Sequence, residues 1–226
     1  MRSLRTNKTL RTNVITYAVV VAAFVLFQCL GSAGVLSSTM KGQLVPICAY
    51  VLMALSLNLT VGILGELSLG HAGFMSVGAF AGAVTASAMQ DSVPSSALRL
   101  TVAVLVGAVL AAIVGVLIGI PVLRLNGDYL AIVTLAFGEI IKSIVNNLYI
   151  GMDANGLHAS FLNNTIVLGE GGRMILSGPM GVPGIKKTAT FAAGFILILI
   201  ALFVIFNLVN SRAGRAIMAL RDNRIA

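Results

Sequence analysis

Six stretches of this chain run for about twenty residues with almost no charge, and they constrain the fold more than any other feature: Val14–Leu36, Leu44–Leu64, Leu67–Met89, Ala97–Ile120, Tyr129–Ile150 and Thr190–Val209. A hydrocarbon core about 30 Å thick is crossed by roughly 20 residues of helix. In lipid, backbone groups must satisfy one another, which leaves helices or closed barrels. Continuous apolar runs of this length specify helices. The expected fold class is all-α, a polytopic transmembrane helix bundle of about six spans. Only 10% of residues are charged and the mean hydropathy is +1.01, which excludes an ordinary soluble enzyme or a disordered tail.

The net charge is +8, but the basic residues are gathered at the ends. Arg2, Arg5, Lys8 and Arg11 precede the first run, and Arg212, Arg215, Arg221 and Arg224 follow the last. This is the pattern of cytoplasmic flanks rather than of a nucleic-acid surface, since no aromatic residues interleave the charge. Three segments are expected: a basic cytoplasmic amino terminus over 1–13, a membrane domain over 14–210 with an outer loop at about 151–189, and a cytoplasmic segment over 211–226. Both termini then lie in the cytoplasm. Lys186 and Lys187 fall on the outer side, as long loops allow. The first run has the basic start of a signal peptide, but exceeds the usual roughly 7–15 apolar residues, so it reads as a retained helix. The outer loop is rich in glycine, and apolar pieces such as Phe161–Leu168 suggest a partly packed cap. Cys29 and Cys48 sit inside apolar runs and read as small buried hydrophobes.

Membrane helices are held together largely by close contact between small residues. Gly107, Ala111, Gly115 and Gly119 recur every four residues on the fourth run, and Gly78 and Gly82 do so on the third. These are the expected packing faces, so Gly115→Leu should destabilise the bundle. Pro121 should end the fourth helix.

Three groups of residues could carry chemistry. Glu139 and Lys142 are three apart on the fifth run and share a helix face, which Ser143 and Asn146 extend. Ionisable residues within a membrane are costly and mark functional sites, although a lysine can also snorkel to the interface. Thr134 lies on the same run, and Asp128 at its start, where a carboxylate also complements the helix dipole. The second group lies where the second and third runs meet, with Asn58, Gly65, Glu66 and His71. The link is either a tight turn or a broken helix of the kind that binds polar substrates in transporters. The third group is the carboxyl end, where Ser211 can cap a helix, and Arg212, Gly214, Arg215, Arg221 and Asp222 form a basic segment. That segment either anchors to anionic membrane lipid or docks a cytoplasmic partner.

No GxxxxGK[ST] phosphate loop occurs; Gly181-Val-Pro-Gly184-Ile-Lys186-Lys-Thr188 has the wrong spacing. No metal-ligand spacing or Ser/His/Asp set is present either, so the chain is expected to be neither an ATPase nor another enzyme, and to hold no cofactor or metal.

Asn58–Gly82, Arg124–Ile141 with its Gly127-Asp128-Tyr129 start, Gly178-Pro-Met-Gly181-Val and Ser211–Asp222 together resemble the LivM-type permease of branched-chain amino acid ABC importers. The likeness covers most of the chain. It implies a pore subunit in the bacterial inner membrane, paired with a second, LivH-like permease. Two cytoplasmic subunits would use ATP and magnesium, and an extracytoplasmic binding protein would deliver the substrate. Asn58, Glu66, His71, Asp128, Thr134, Glu139 and Lys142 would line or gate the path, and the segment from Arg212 to Asp222 would couple to the ATPases. In this family the chain continues beyond the Arg221-Asp222 pair into a coupling helix and further spans, so a carboxyl-terminally truncated permease is expected. A permease of the same family for urea or short amides, an ion-coupled secondary transporter using Glu139, Lys142 and His71, and a non-transporting scaffold are the alternatives.

Overall fold

The computed structural model describes residues 2–90, 92–122, 124–125, 127–153, 156–162, 165–169, 171–183 and 188–222, with side chains from residue 11 onward except 220 and 222. Lys186, Lys187, Gly184 and Arg224, and the side chains of Arg2, Arg5, Lys8 and Asp222, lie outside the described residues. The chain divides into two compact units, one made of Met1–Gly65 and Ala189–Ala226, the other of Glu66–Thr188.

The first unit contains α1 (Arg2–Ser32), α2 (Ser38–Asn58), a π-helical turn (Leu59–Leu64), and two later helices, numbered below as α6 (Phe191–Asn210) and α7 (Arg212–Asp222). Ser37 caps α2 by accepting from the Met40 amide, so this helix begins well before the expected Leu44. Its centre packs on α6: Cys48, Ile198 and Leu202 are buried, ringed by Tyr17, Val20, Leu52, Phe195 and Phe206. Gly194 permits the contact, since a Cβ there would lie 2.8 Å from that of Cys48. Phe24 of α1 lies against Phe191 and Phe195, at 5.5 and 4.8 Å between ring centres. Cys29, expected to be buried, is exposed on α1, whose flank meets few partners within this unit.

The second unit contains α3 (His71–Ala88), α4 (Ser96–Val122) and α5 (Asp128–Asn146), followed by strands β1 (Leu148–Asp153), β2 (Gly156–Phe161) and β3 (Arg173–Ser177) and a 3-10 turn (Gly178–Met180). The α3–α4 pair is the small-residue contact expected from the glycine spacing. A Cβ at Gly107 would sit 2.6 Å from the Gly78 carbonyl oxygen, and one at Gly82 would sit 3.1 Å from that of Ala103. Ala111 reaches the Gly78 position as well. Gly115 and Gly119 do not join in, because a Cβ at either meets nothing within 4 Å. The glycine face is continuous, but within this unit its neighbour covers only the first half. Pro121 is tolerated one residue before α4 ends.

Each expected span corresponds to a helix, but among the described residues four, not six, are long and apolar enough to cross a membrane: Arg11–Ser32, Ser38–Leu64, Ser96–Val122 and Phe191–Asn210. The other two, α3 and α5, have 18 and 19 residues, or about 27–29 Å at 1.5 Å per residue. The first is built largely from Ala, Gly and Ser, and the second carries Asp128, Glu139 and Lys142. The molecule remains a helical membrane bundle, with one departure from all-α in the loop.

There the strands form an antiparallel sheet of order β2-β1-β3, bulged between Ile150 and Gly151. Ile175 and Leu176 are its large buried side chains, at 1% and 0% exposure. A packed cap is present, but Phe161, Leu162 and Val167, from the piece that suggested it, stay exposed. Asp153 of β1 holds the neighbouring loop, lying 2.9 Å from His158 Nε2 and accepting from the Gly169 amide at 3.3 Å.

Candidate functional site

Residues 65–70 belong to no helix or strand, with Gly65 left-handed, and His71 then opens α3. The end of this link lies on α5. The Leu69 amide donates to Thr134 Oγ1 at 3.1 Å, and that hydroxyl donates to the Ala131 carbonyl at 2.9 Å. Glycine makes the approach possible. A Cβ on Gly70 would be 2.9 Å from the Thr134 carbonyl oxygen, and one on Gly73 would be 3.1 Å from the Gly138 Cα.

Beyond this contact α3 and α5 part to leave a groove of about 270 Å³. Leu69, Phe80, Leu135 and Val145 give it an apolar wall, and Ser76, Glu139, Lys142 and Asn146 supply polar groups. Lys142 Nζ lies 3.2 Å from Glu139 Oε2, and the two side chains are 65% and 64% exposed. A charge in the middle of a bilayer costs roughly 2.5–3.5 kcal/mol even on the lenient scale. Two exposed charges within the apolar stretch that follows Asp128 on α5 therefore call for water or protein against them rather than lipid.

Among the expected path residues, the structure brings only Glu139 and Lys142 together in this groove. Thr134 is buried at the helix contact and acts there as a tie. His71 stands at the start of α3, outside the lining, and its buried Nδ1 has no hydrogen-bond partner among the described residues. Asp128 is exposed in the first turn of α5, the position where a carboxylate complements the helix dipole. Glu66 is half-buried and outside the lining. Asn58 belongs to the other unit, where it ends α2 and its amide fills the space beside Gly62. Asn146 extends the Glu139 face as expected, whereas Ser143 does not reach the groove. Sequence reasoning passed over Ser76, Phe80, Leu135 and Val145. Helical spacing would have found Leu135 from Glu139 and Val145 from Lys142.

The carboxyl segment makes a tight corner in the first unit. Ser211 accepts from the Gly214 amide at 3.1 Å, the helix cap expected of it. Gly214 is buried against the Leu208 and Val209 carbonyls, where no Cβ fits. Arg215 donates to the Asn210 carbonyl at 3.0 Å, closing the end of α6, and Arg212 is exposed. Arg221 reaches the π turn, donating to the Gly62 carbonyl at 3.1 Å. An apolar hollow of about 160 Å³ lies between Ile63, Leu208 and Ile217.

Two curated relatives are the high-affinity branched-chain amino acid transport system permease protein LivM of Escherichia coli K12 and that of Salmonella typhimurium LT2. Each is 35% identical over 189 residues, 78% of this chain. The chain spans 42% of the length of each. No solved structure matches it. Residues 39–226 match the family described as the branched-chain amino acid transport system permease component, and the chain belongs to that family of multi-pass membrane proteins.

Proposed function

We propose that this chain forms part of the passage of an ATP-driven importer for branched-chain or related small amino acids. The observation that carries this reading is the exposed Glu139–Lys142 pair set in an apolar-walled groove. Such a pair is stable in a membrane protein where water or a polar solute passes, or where a second permease subunit covers it. The relatives named above belong to a branched-chain amino acid transport system, which favours this solute over an inorganic ion. An extracytoplasmic binding protein would deliver it to the passage in the inner membrane. The basic helix α7, with Arg212, Arg215 and Arg221 spread along it, would receive the stroke of two cytoplasmic ATPases and pass it to the π turn through the Gly62 carbonyl. In this scheme ATP and magnesium bind the ATPases and not this chain.

The test is uptake by the assembled transporter carrying Ser76→Phe, which fills the groove from α3. Uptake should fall at least about tenfold with normal membrane abundance, since a full steric block removes the route rather than one contact. Wild-type uptake would sink the assignment of this groove to the passage.

A further inference from the structure

The groove presents two opposite charges side by side, one helical turn apart, with an apolar wall beside them. Any ligand that separates the pair must replace what each charge loses. A simple cation satisfies Glu139 and strands Lys142, and a simple anion does the reverse. At 65% and 64% exposure each charge keeps part of its water, so the loss is modest, but it still favours a ligand that meets both. A neutral amide satisfies neither fully. A zwitterion that carries ammonium and carboxylate on one carbon satisfies both at once, and the site is neutral before and after. The volume of about 270 Å³ lies just under the roughly 300–1,000 Å³ of small-molecule pockets and has room for a single amino acid.

We propose that Glu139 and Lys142 divide the recognition of a zwitterionic amino acid between them. The Glu139 carboxylate takes the ligand's ammonium and the Lys142 ammonium takes its carboxylate. The aliphatic side chain lies on the wall formed by Leu69, Phe80, Leu135 and Val145. The inference rests on the reading of this groove as part of the passage, and it deepens that reading by naming the two charge subsites. The unliganded pair at 3.2 Å is then the resting state, each side chain holding the place of a ligand group.

The experiment is saturation-transfer NMR on the assembled transporter, in detergent and without its binding protein, using three probes. Leucine carries both charges, 4-methylpentanoate lacks the ammonium, and leucinamide lacks the carboxylate. Leucine should bind, and each analogue should bind about tenfold more weakly, as for the loss of one charge-assisted contact. Glu139→Gln should erase the preference for leucine over 4-methylpentanoate and keep the preference over leucinamide. Lys142→Gln should do the opposite. Each retained preference shows that the groove has survived the substitution. If a variant loses all binding, Glu139→Asp and Lys142→Arg must restore it for the proposal to hold. Equal binding of the three probes, no binding of leucine, or preferences that persist in both variants would overturn it. Uptake blocked by Ser76→Phe alongside any of those results would leave the passage standing and remove only the charge subsites.

Discussion

The hydroxyl of Thr134 joins two segments 65 residues apart, accepting from the Leu69 amide while donating to the Ala131 carbonyl. This one side chain closes α3 onto α5 beside the groove. Thr134→Val keeps the shape and removes both bonds, leaving a partly buried amide without its partner at a cost of about 1–3 kcal/mol. The thermal midpoint of the purified protein should fall, and Thr134→Ser should recover most of the loss. An unchanged midpoint for the valine variant would show that the tie contributes nothing.

The α3–α4 contact predicts opposite outcomes for two glycines of one stripe. Gly107→Leu drives a side chain into the Gly78 carbonyl and should cost about 1–3 kcal/mol or more. Gly115→Leu meets open space within its unit and should leave the unfolding midpoint unchanged, contrary to what the spacing of the glycines alone suggests. Detergent thermostability of the two variants, measured side by side, decides it.

Gly65 ends the π turn with φ at +78°, and a Cβ there would come 2.7 Å from Arg221 Cγ. Gly65→Ala therefore carries backbone strain of about 1–2 kcal/mol as well as a displaced arginine. ATP-driven uptake should drop while Arg221→Lys, which keeps a donor for Gly62, retains more of it. Equal uptake by Gly65→Ala and wild type would detach this corner from transport.

Asp153 is the post around which the sheet's loop is held, through His158 and the Gly169 amide. Asp153→Ala should speed proteolytic cleavage within residues 165–169 without lowering the stability of the helices. Limited proteolysis followed by mass spectrometry reads this directly. Cleavage at the wild-type rate would mean that the loop is held by other contacts.

The helices were legible because lipid demands long apolar runs, and such runs are visible without a partner. Gly107 and Gly82 were legible as a contact for the same reason: small residues at helical spacing have few other uses in a membrane. How far a contact extends was not legible. Periodicity marks a face but not where the neighbour leaves it, which is why Gly115 and Gly119 were assigned too much. The spans of α3 and α5 were overcounted because length was weighed above composition: α3 is built largely from Ala, Gly and Ser, and α5 carries Asp128, Glu139 and Lys142. The sheet stayed hidden because its strands are only five or six residues long and its buried pair, Ile175 and Leu176, sits among glycines. Glu139 and Lys142 stood out as charges in an apolar run. Thr134 was named for the path, and its tie to Leu69 was not legible because the partner lies far away in sequence.

The sheet also meets both helices of the groove at their far ends. Arg173 of β3 donates to the Ser87 carbonyl at the end of α3 at 2.6 Å. Gly178 lies so close to the Asn146 carbonyl at the end of α5 that a Cβ would come within 2.7 Å of it. With Thr134 fastening the near ends, α3 and α5 are two rails bolted at one end and braced by a crossbar at the other. A frame closed in this way does not scissor. Its width is set when the chain folds.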